Sequence, residues 1–203
     1  MADPIHAVPG LPRWHPNPIV RSIIERIRIH GWAVTAVGEH CMVEGCDGSD
    51  QPDCPFAYTS GLVMHDIPEL AVYGLDMGTA GRVLNELGNL LHTYDWAKIV
   101  DARAPIPLNA LDVPVMLIEI IDKSDLCMSN ELFPNAPALQ VVWPDDLGTY
   151  PWEVGYSLSQ QSQTIIGIPP TTTGRVVGPR TVSTHDGRNR MERRAAQRRR
   201  PRT

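Results

Sequence analysis

The last 29 residues of the chain, 175–203, carry ten arginines against two acids, a net charge of +8. Residues 1–174 hold the other eight bases and 21 acids, a net of −13. Positive charge at that density repels itself and offers no apolar face, so the tail is expected to be disordered and outside any core. Folding is therefore assigned to the acidic part. The hydrophobic share of 42% excludes wholesale disorder. A body of roughly 150 residues buries about 68–70% of its unfolded surface, enough for one core. The division read from composition is a proline-rich arm over 1–18, a single domain over 19–168, and a linker with the arginine-rich tail over 169–203.

No stretch reaches the roughly eighteen apolar residues that a bilayer helix needs, so no membrane attachment is expected. Met1–Val20 is broken by prolines at 4, 9, 12, 16 and 18 and lacks a charged start before an apolar run. It does not read as a secretory signal. Four cysteines do not make a disulfide scaffold, and the expected location is cytoplasmic.

Within the domain the periodicities alternate irregularly. Asn17-Pro18 supplies a cap and a first-turn proline, and Val20, Ile23, Ile24 and Ile27 share one helical face up to Gly31. A second helix is predicted from about Ala80 to His92, on Val83, Leu84, Leu87 and Leu91. Strands are predicted at Trp32–Val37, Phe56–Leu62, Leu70–Leu75, Val113–Ile121 and Ala138–Trp143, with weaker ones at Lys98–Val100 and Thr164–Ile168. Val115–Ile118 leaves no polar face, which predicts a central position. A short helix is favoured within 123–133. Several connections are too short for parallel crossovers. The fold class is therefore α+β, a mostly antiparallel mixed sheet with two or three packed helices. Trp14 is the candidate that pins the arm to the body.

The runs HGWAVTAVG (30–38), FAYTSGL (56–62), IPELAVYGL (67–75) and ALQVVWPDDLGTYPWE (138–153) stand in an order and spacing that resemble the bacterial and phage family called domain of unknown function 4262. The resemblance covers about residues 19–168. It brings no chemistry with it. Similar proteins join the first two runs by a short basic linker, whereas here the linker is long, acidic and carries three cysteines; the tail lies outside the resemblance.

Four groups of residues carry candidate chemistry. His40, Cys41, Cys46 and Cys54 lie within fifteen residues and could close a tetrahedral site for structural zinc. The spacing matches no familiar zinc knuckle, and a loop of reduced thiols or a disulfide are the alternatives. His65 and Glu69, with Asp66, form the one compact His/carboxylate group of the body, suited to acid–base work. Tyr58, with Thr59 and Ser60, presents hydroxyls near a strand end; no nucleophile elbow surrounds Ser60, and hydroxyls that satisfy buried backbone are the plainer reading. The loop from Trp143 to Glu153 gathers Trp143, Asp145, Asp146, Tyr150 and Trp152, an aromatic and acidic set that suits ligand recognition, while Asp145 and Asp146 could take a hard cation such as Mg²⁺.

The tail residues Arg188, Arg190, Arg193, Arg194, Arg198, Arg199, Arg200 and Arg202 are candidate phosphate contacts, and nucleic acid is the commonest polyanion. No aromatic is interleaved, so sequence reading is not supported. Docking on the acidic body is the competing use of the same charge. The expected function is an intracellular interaction or binding module, for a protein or a small ligand, with loose nucleic-acid attachment through the tail. The alternative is a metal-dependent hydrolase or transferase using the acidic and His residues of the body.

Overall fold

The computed structural model describes residues 9–38 and 54–170. Helix α1, Pro18–His30, starts where Asn17 Oδ1 accepts the Ile19 amide at 2.9 Å, and it buries Val20, Ile23, Ile24 and Ile27. Strands β1 (Ala33–Val37) and β2 (Phe56–Ser60) pair antiparallel, Ala33 opposite Ser60 and Val37 opposite Phe56. Strand β3 (Glu69–Tyr73) returns antiparallel beside β2. The chain then leaves the sheet through α2 (Met77–Leu91) and α3 (Trp96–Asp101), adds strand β4 (Met116–Glu119) at its edge and leaves again through α4 (Cys127–Leu132). It re-enters as β5 (Ala138–Val142), parallel to β3 and antiparallel to β4. The order is β1-β2-β3-β5-β4, a five-stranded mixed sheet with one parallel pairing, and the fold is α+β.

Strand alternation divides the core between two faces. Ala57, Leu70, Val72, Leu117, Leu139 and Val141 meet Val83, Leu84, Leu87 and Leu91 of α2, with Ile99 and Val100 of α3 beside them. Each of these large side chains contributes about 1.5–3 kcal/mol by leaving water. The other face stacks Phe56 on Tyr73 at 5.0 Å and is closed by Leu126, which caps α4, and by Met128 in the first turn of that helix. Helix α1 packs there through Ala33, Leu132 and Phe133.

Five sequence expectations need correction. Val113–Ile121 yields the edge strand β4, not a central one. Its apolar faces are covered by α2 and α3 on one side and by Ile165 and Tyr150 on the other, while bridges Ile106–Val115 and Ile120–Gly167 flank it. Lys98–Val100 is helical, because Asp95 Oδ1 caps the amides of Ala97 and Lys98 and starts α3. Thr164–Ile168 forms no ladder beyond the Gly167 bridge. Four α-helices are present among the described residues, one more than the upper expectation. Leu11, not Trp14, anchors the arm: Leu11 is buried against α1 whereas Trp14 is 66% exposed, its ring under the Arg21 guanidinium. Arg28 secures the same segment by donating to the carbonyls of Pro12 and Arg13.

Candidate functional site

The loop after β5 is organised by one carboxylate. Asp145 is 1% exposed. Its Oδ1 accepts the amides of Leu147 (2.9 Å) and Thr149 (2.8 Å), and its Oδ2 accepts the amide and the hydroxyl of Ser157 (2.9 and 2.8 Å). Burial pushes this carboxyl up, but the hydrogen bonds from Thr149, Ser157 and Leu147 outweigh it and hold the group below the ordinary aspartate value. A short side chain that bonds backbone two and four residues on is the Asx-turn device, so local chemistry shapes the loop. Glu153 adds a second tie by accepting the Tyr150 amide at 2.8 Å.

The aromatic residues of the loop take two different places. Trp143 is buried and its indole N–H donates to the Tyr73 carbonyl at 3.0 Å, so it belongs to the core. Tyr150 and Trp152 stack at 5.3 Å with planes 7° apart. Burial first, and then the Glu153 carboxylate, push the Tyr150 phenol up to about 12, so it stays neutral. Trp152 stands half-buried at a cleft of about 480 Å³, lined also by Pro151, Tyr156, Gln161, Gln163, Thr164, Ile165 and Pro169. Every one of these side chains is uncharged.

The far wall of the cleft is attached to the sheet by two amides. Gln140, at the middle of β5, donates to the Thr164 carbonyl (2.6 Å) and accepts the amides of Ile166 (2.9 Å) and Gly167 (2.8 Å). Gln163 donates to the Trp143 carbonyl (2.8 Å) and accepts the Trp143 amide (3.1 Å). The two side chains thus fasten the segment to a strand whose backbone is already paired on both sides. Gly74 completes the junction: its φ is +78°, and a Cβ there would stand 1.9 Å from the Ser162 carbonyl oxygen.

Other candidates lie elsewhere. Tyr58 is 2% exposed and its hydroxyl accepts the Met128 amide at 3.2 Å, which ties β2 to the start of α4 rather than facing the cleft. Glu69 is fully buried; it accepts the Thr59 hydroxyl (2.6 Å) and the amides of Gly61 (2.7 Å) and Val63 (3.2 Å). Thr59 Oγ1 in turn accepts the Leu70 amide at 2.8 Å, the backbone-satisfying role anticipated for that strand. Burial raises the Glu69 carboxyl, and these bonds only partly offset it. His65 faces away from this cluster, with Nε2 on the Gly31 carbonyl at 3.2 Å. No hydrogen bond joins His65 to Glu69 among the described residues. Asp146 is exposed at the tip of the loop.

Cys54 is buried with its thiol 3.2 Å from the Thr164 hydroxyl, and it is a free cysteine. His40, Cys41 and Cys46 lie outside the described residues, as do the tail arginines 188–202. Among the described residues no group of three or more His, Cys, Asp or Glu side chains is arranged to hold a metal ion, and no helix is long and apolar enough to cross a membrane.

A family model described as "Domain of unknown function (DUF4262)" matches residues 26–157. The chain belongs to that family. The DUF4262 match opens inside α1, takes in the whole sheet and ends at Ser157, the residue that closes the Asp145 network. Gln161, Gln163, Thr164 and Ile165 follow it, so the far wall of the cleft lies beyond the matched segment. Comparison with curated proteins and with solved structures gave no match.

The cleft residues after Ser157 carry no spacing signal: Gln161 sits in a single 3₁₀ turn, Gln160–Ser162, and Gln163 and Thr164 follow it outside any helix or strand. Gln140 offered one cue, a lone amide inside the apolar run ALQVV.

Proposed function

We propose that this DUF4262 protein is an interaction module whose body takes an uncharged ligand with a flat apolar face in the cleft beside Trp152. The observation that supports this reading is the lining itself, an indole and a phenol ring with two glutamine side chains and a threonine, and no formal charge. Aromatic surface provides area at low entropic cost, and the exposed Gln161 amide supplies directional hydrogen bonds to a ligand edge, while Gln163 holds the wall in place. The volume lies within the usual range for small-ligand sites, roughly 300–1,000 Å³. Asp145 and Glu69 direct their oxygens to internal donors, which favours binding over carboxylate-dependent hydrolysis. The arginine-rich tail adds loose, sequence-independent attachment to a polyanion, nucleic acid first.

Two experiments on the full chain and one truncation test these parts separately. A panel of neutral sugars, nucleosides and prolyl peptides, followed by amide NMR shifts, should give at least one saturable binder whose shifts cluster at Trp152, Tyr156 and Gln163 and vanish in Trp152→Ala. Binders that ignore that substitution, or none at all, overturn the cleft assignment. Truncation after Pro170 should abolish a gel shift on DNA or RNA without lowering Tm. With about eight phosphate contacts, log K of the full chain should fall against log salt with a slope near −7. Equal retardation by the truncated chain overturns the tail assignment.

A further inference from the structure

Two histidines outside the cleft meet across three elements. His92 caps the end of α2, and its Nδ1 donates to the Gly88 carbonyl at 2.6 Å. His65, at the end of the short 3₁₀ turn Leu62–His65, donates from Nε2 to the Gly31 carbonyl at 3.2 Å. A carbonyl only accepts, so each of these nitrogens carries the hydrogen, and in the neutral ring the other nitrogen keeps its lone pair. Nδ1 of His65 and Nε2 of His92 are therefore two lone-pair donors whose tautomers are fixed by backbone. The rings stand 4.9 Å apart, centre to centre, at 59°, and both residues are exposed. Trp32 packs against both, 5.6 Å from His92 and 6.4 Å from His65, while its indole N–H donates to Asn85 Oδ1 at 3.0 Å.

Metal-binding imidazoles share the feature seen in both rings, a far N–H held by a carboxylate, a water or, as here, a backbone carbonyl. A ligating imidazole nitrogen sits about 2.0–2.1 Å from zinc, which places the centres of two rings on one tetrahedral ion about 5 Å apart. We propose that His65 and His92 form a two-histidine site for a late first-row divalent metal such as Cu²⁺, Ni²⁺ or Zn²⁺, with water in the remaining positions. Imidazole nitrogen favours these ions over Mg²⁺ or Ca²⁺, which want oxygen. With two protein ligands facing solvent, the bound ion exchanges readily and keeps open positions for a further ligand.

The test uses the full chain and Ni²⁺ alone. Calorimetry should give a saturable site, and the emission of Trp32 should fall with the same curve; Trp32→Phe should remove that part of the quenching and leave the binding. His65→Asn and His92→Asn should each weaken binding at least about tenfold, whereas a Cys41→Ser/Cys46→Ser/Cys54→Ser variant should retain it. Affinity should fall in acid as protons compete for the same lone pairs. No binding, binding indifferent to both histidine substitutions, or loss in the cysteine variant alone overturns the assignment. Should an Asn variant fail to fold, imidazole ¹⁵N spectra of the unsubstituted chain give the answer: Ni²⁺ must broaden His65 and His92 first, and broadening confined to other histidines overturns the proposal.

Discussion

Glu69 and Asp145 are both buried carboxylates, yet their environments drive them in opposite directions, and the stability of the fold should follow. At Glu69 burial wins and the native value is raised. The stability this group contributes is whole below its unfolded value, about 4.3, and is lost as pH rises through the raised native one. Glu69→Gln should therefore gain on the native protein as pH climbs from acid toward neutrality, which Tm measured across that range would show. Glu69→Ala leaves the Thr59 hydroxyl and two amides without their acceptor and should cost about 3 kcal/mol or more. At Asp145 hydrogen bonding wins and the native value is lowered. Its contribution is present above about 3.9 and disappears as pH falls through the native value. Asp145→Asn should be less stable than the native protein by roughly 2 kcal/mol near neutrality, with the gap closing below about pH 4 in urea titrations.

Elements with one clear period were legible. Val20, Ile23, Ile24 and Ile27 define α1 in sequence and in structure, and Leu84, Leu87 and Leu91 do the same for α2. Helix α3 escaped because Lys98–Val100 is apolar enough for a strand, and its start depends on the Asp95 cap, not on hydrophobic spacing. The aromatic loop was visible as WPDDLGTYPW, but its far wall was not. Gln140 and Gln163 hold that wall by bonds to backbone 20–27 residues away, and such bonds leave no local pattern. His65 and Glu69 misled by proximity: four residues and a tight turn send them to different faces. The Gln140 contacts predict that Gln140→Leu keeps β5 but frees the attached segment. Hydrogen exchange at Ile166 and Gly167 should rise by roughly one order of magnitude or more, with about 2–3 kcal/mol lost overall.

At the scale of the molecule, the sheet is joined by one pairing of long reach. Strands β1, β2 and β3 are linked by antiparallel neighbours, whereas β3 finds β5 only after the chain has passed through three helices and β4, Glu69 meeting Ala138. Closing so long a loop comes before any reward from the contacts it brings. A chain still on the ribosome with Ala138 not yet emerged would hold α2 over half a sheet and present the open side of β3 to its neighbours. Release of truncated chains ending at Pro137 should accordingly yield aggregates, and chains ending at Pro170 a protease-resistant product, in a pulse-proteolysis assay of translation intermediates. The interior strand that arrives last therefore makes synthesis of this protein an all-or-nothing event, with the period before β5 emerges as its time of greatest exposure to chaperones and proteases.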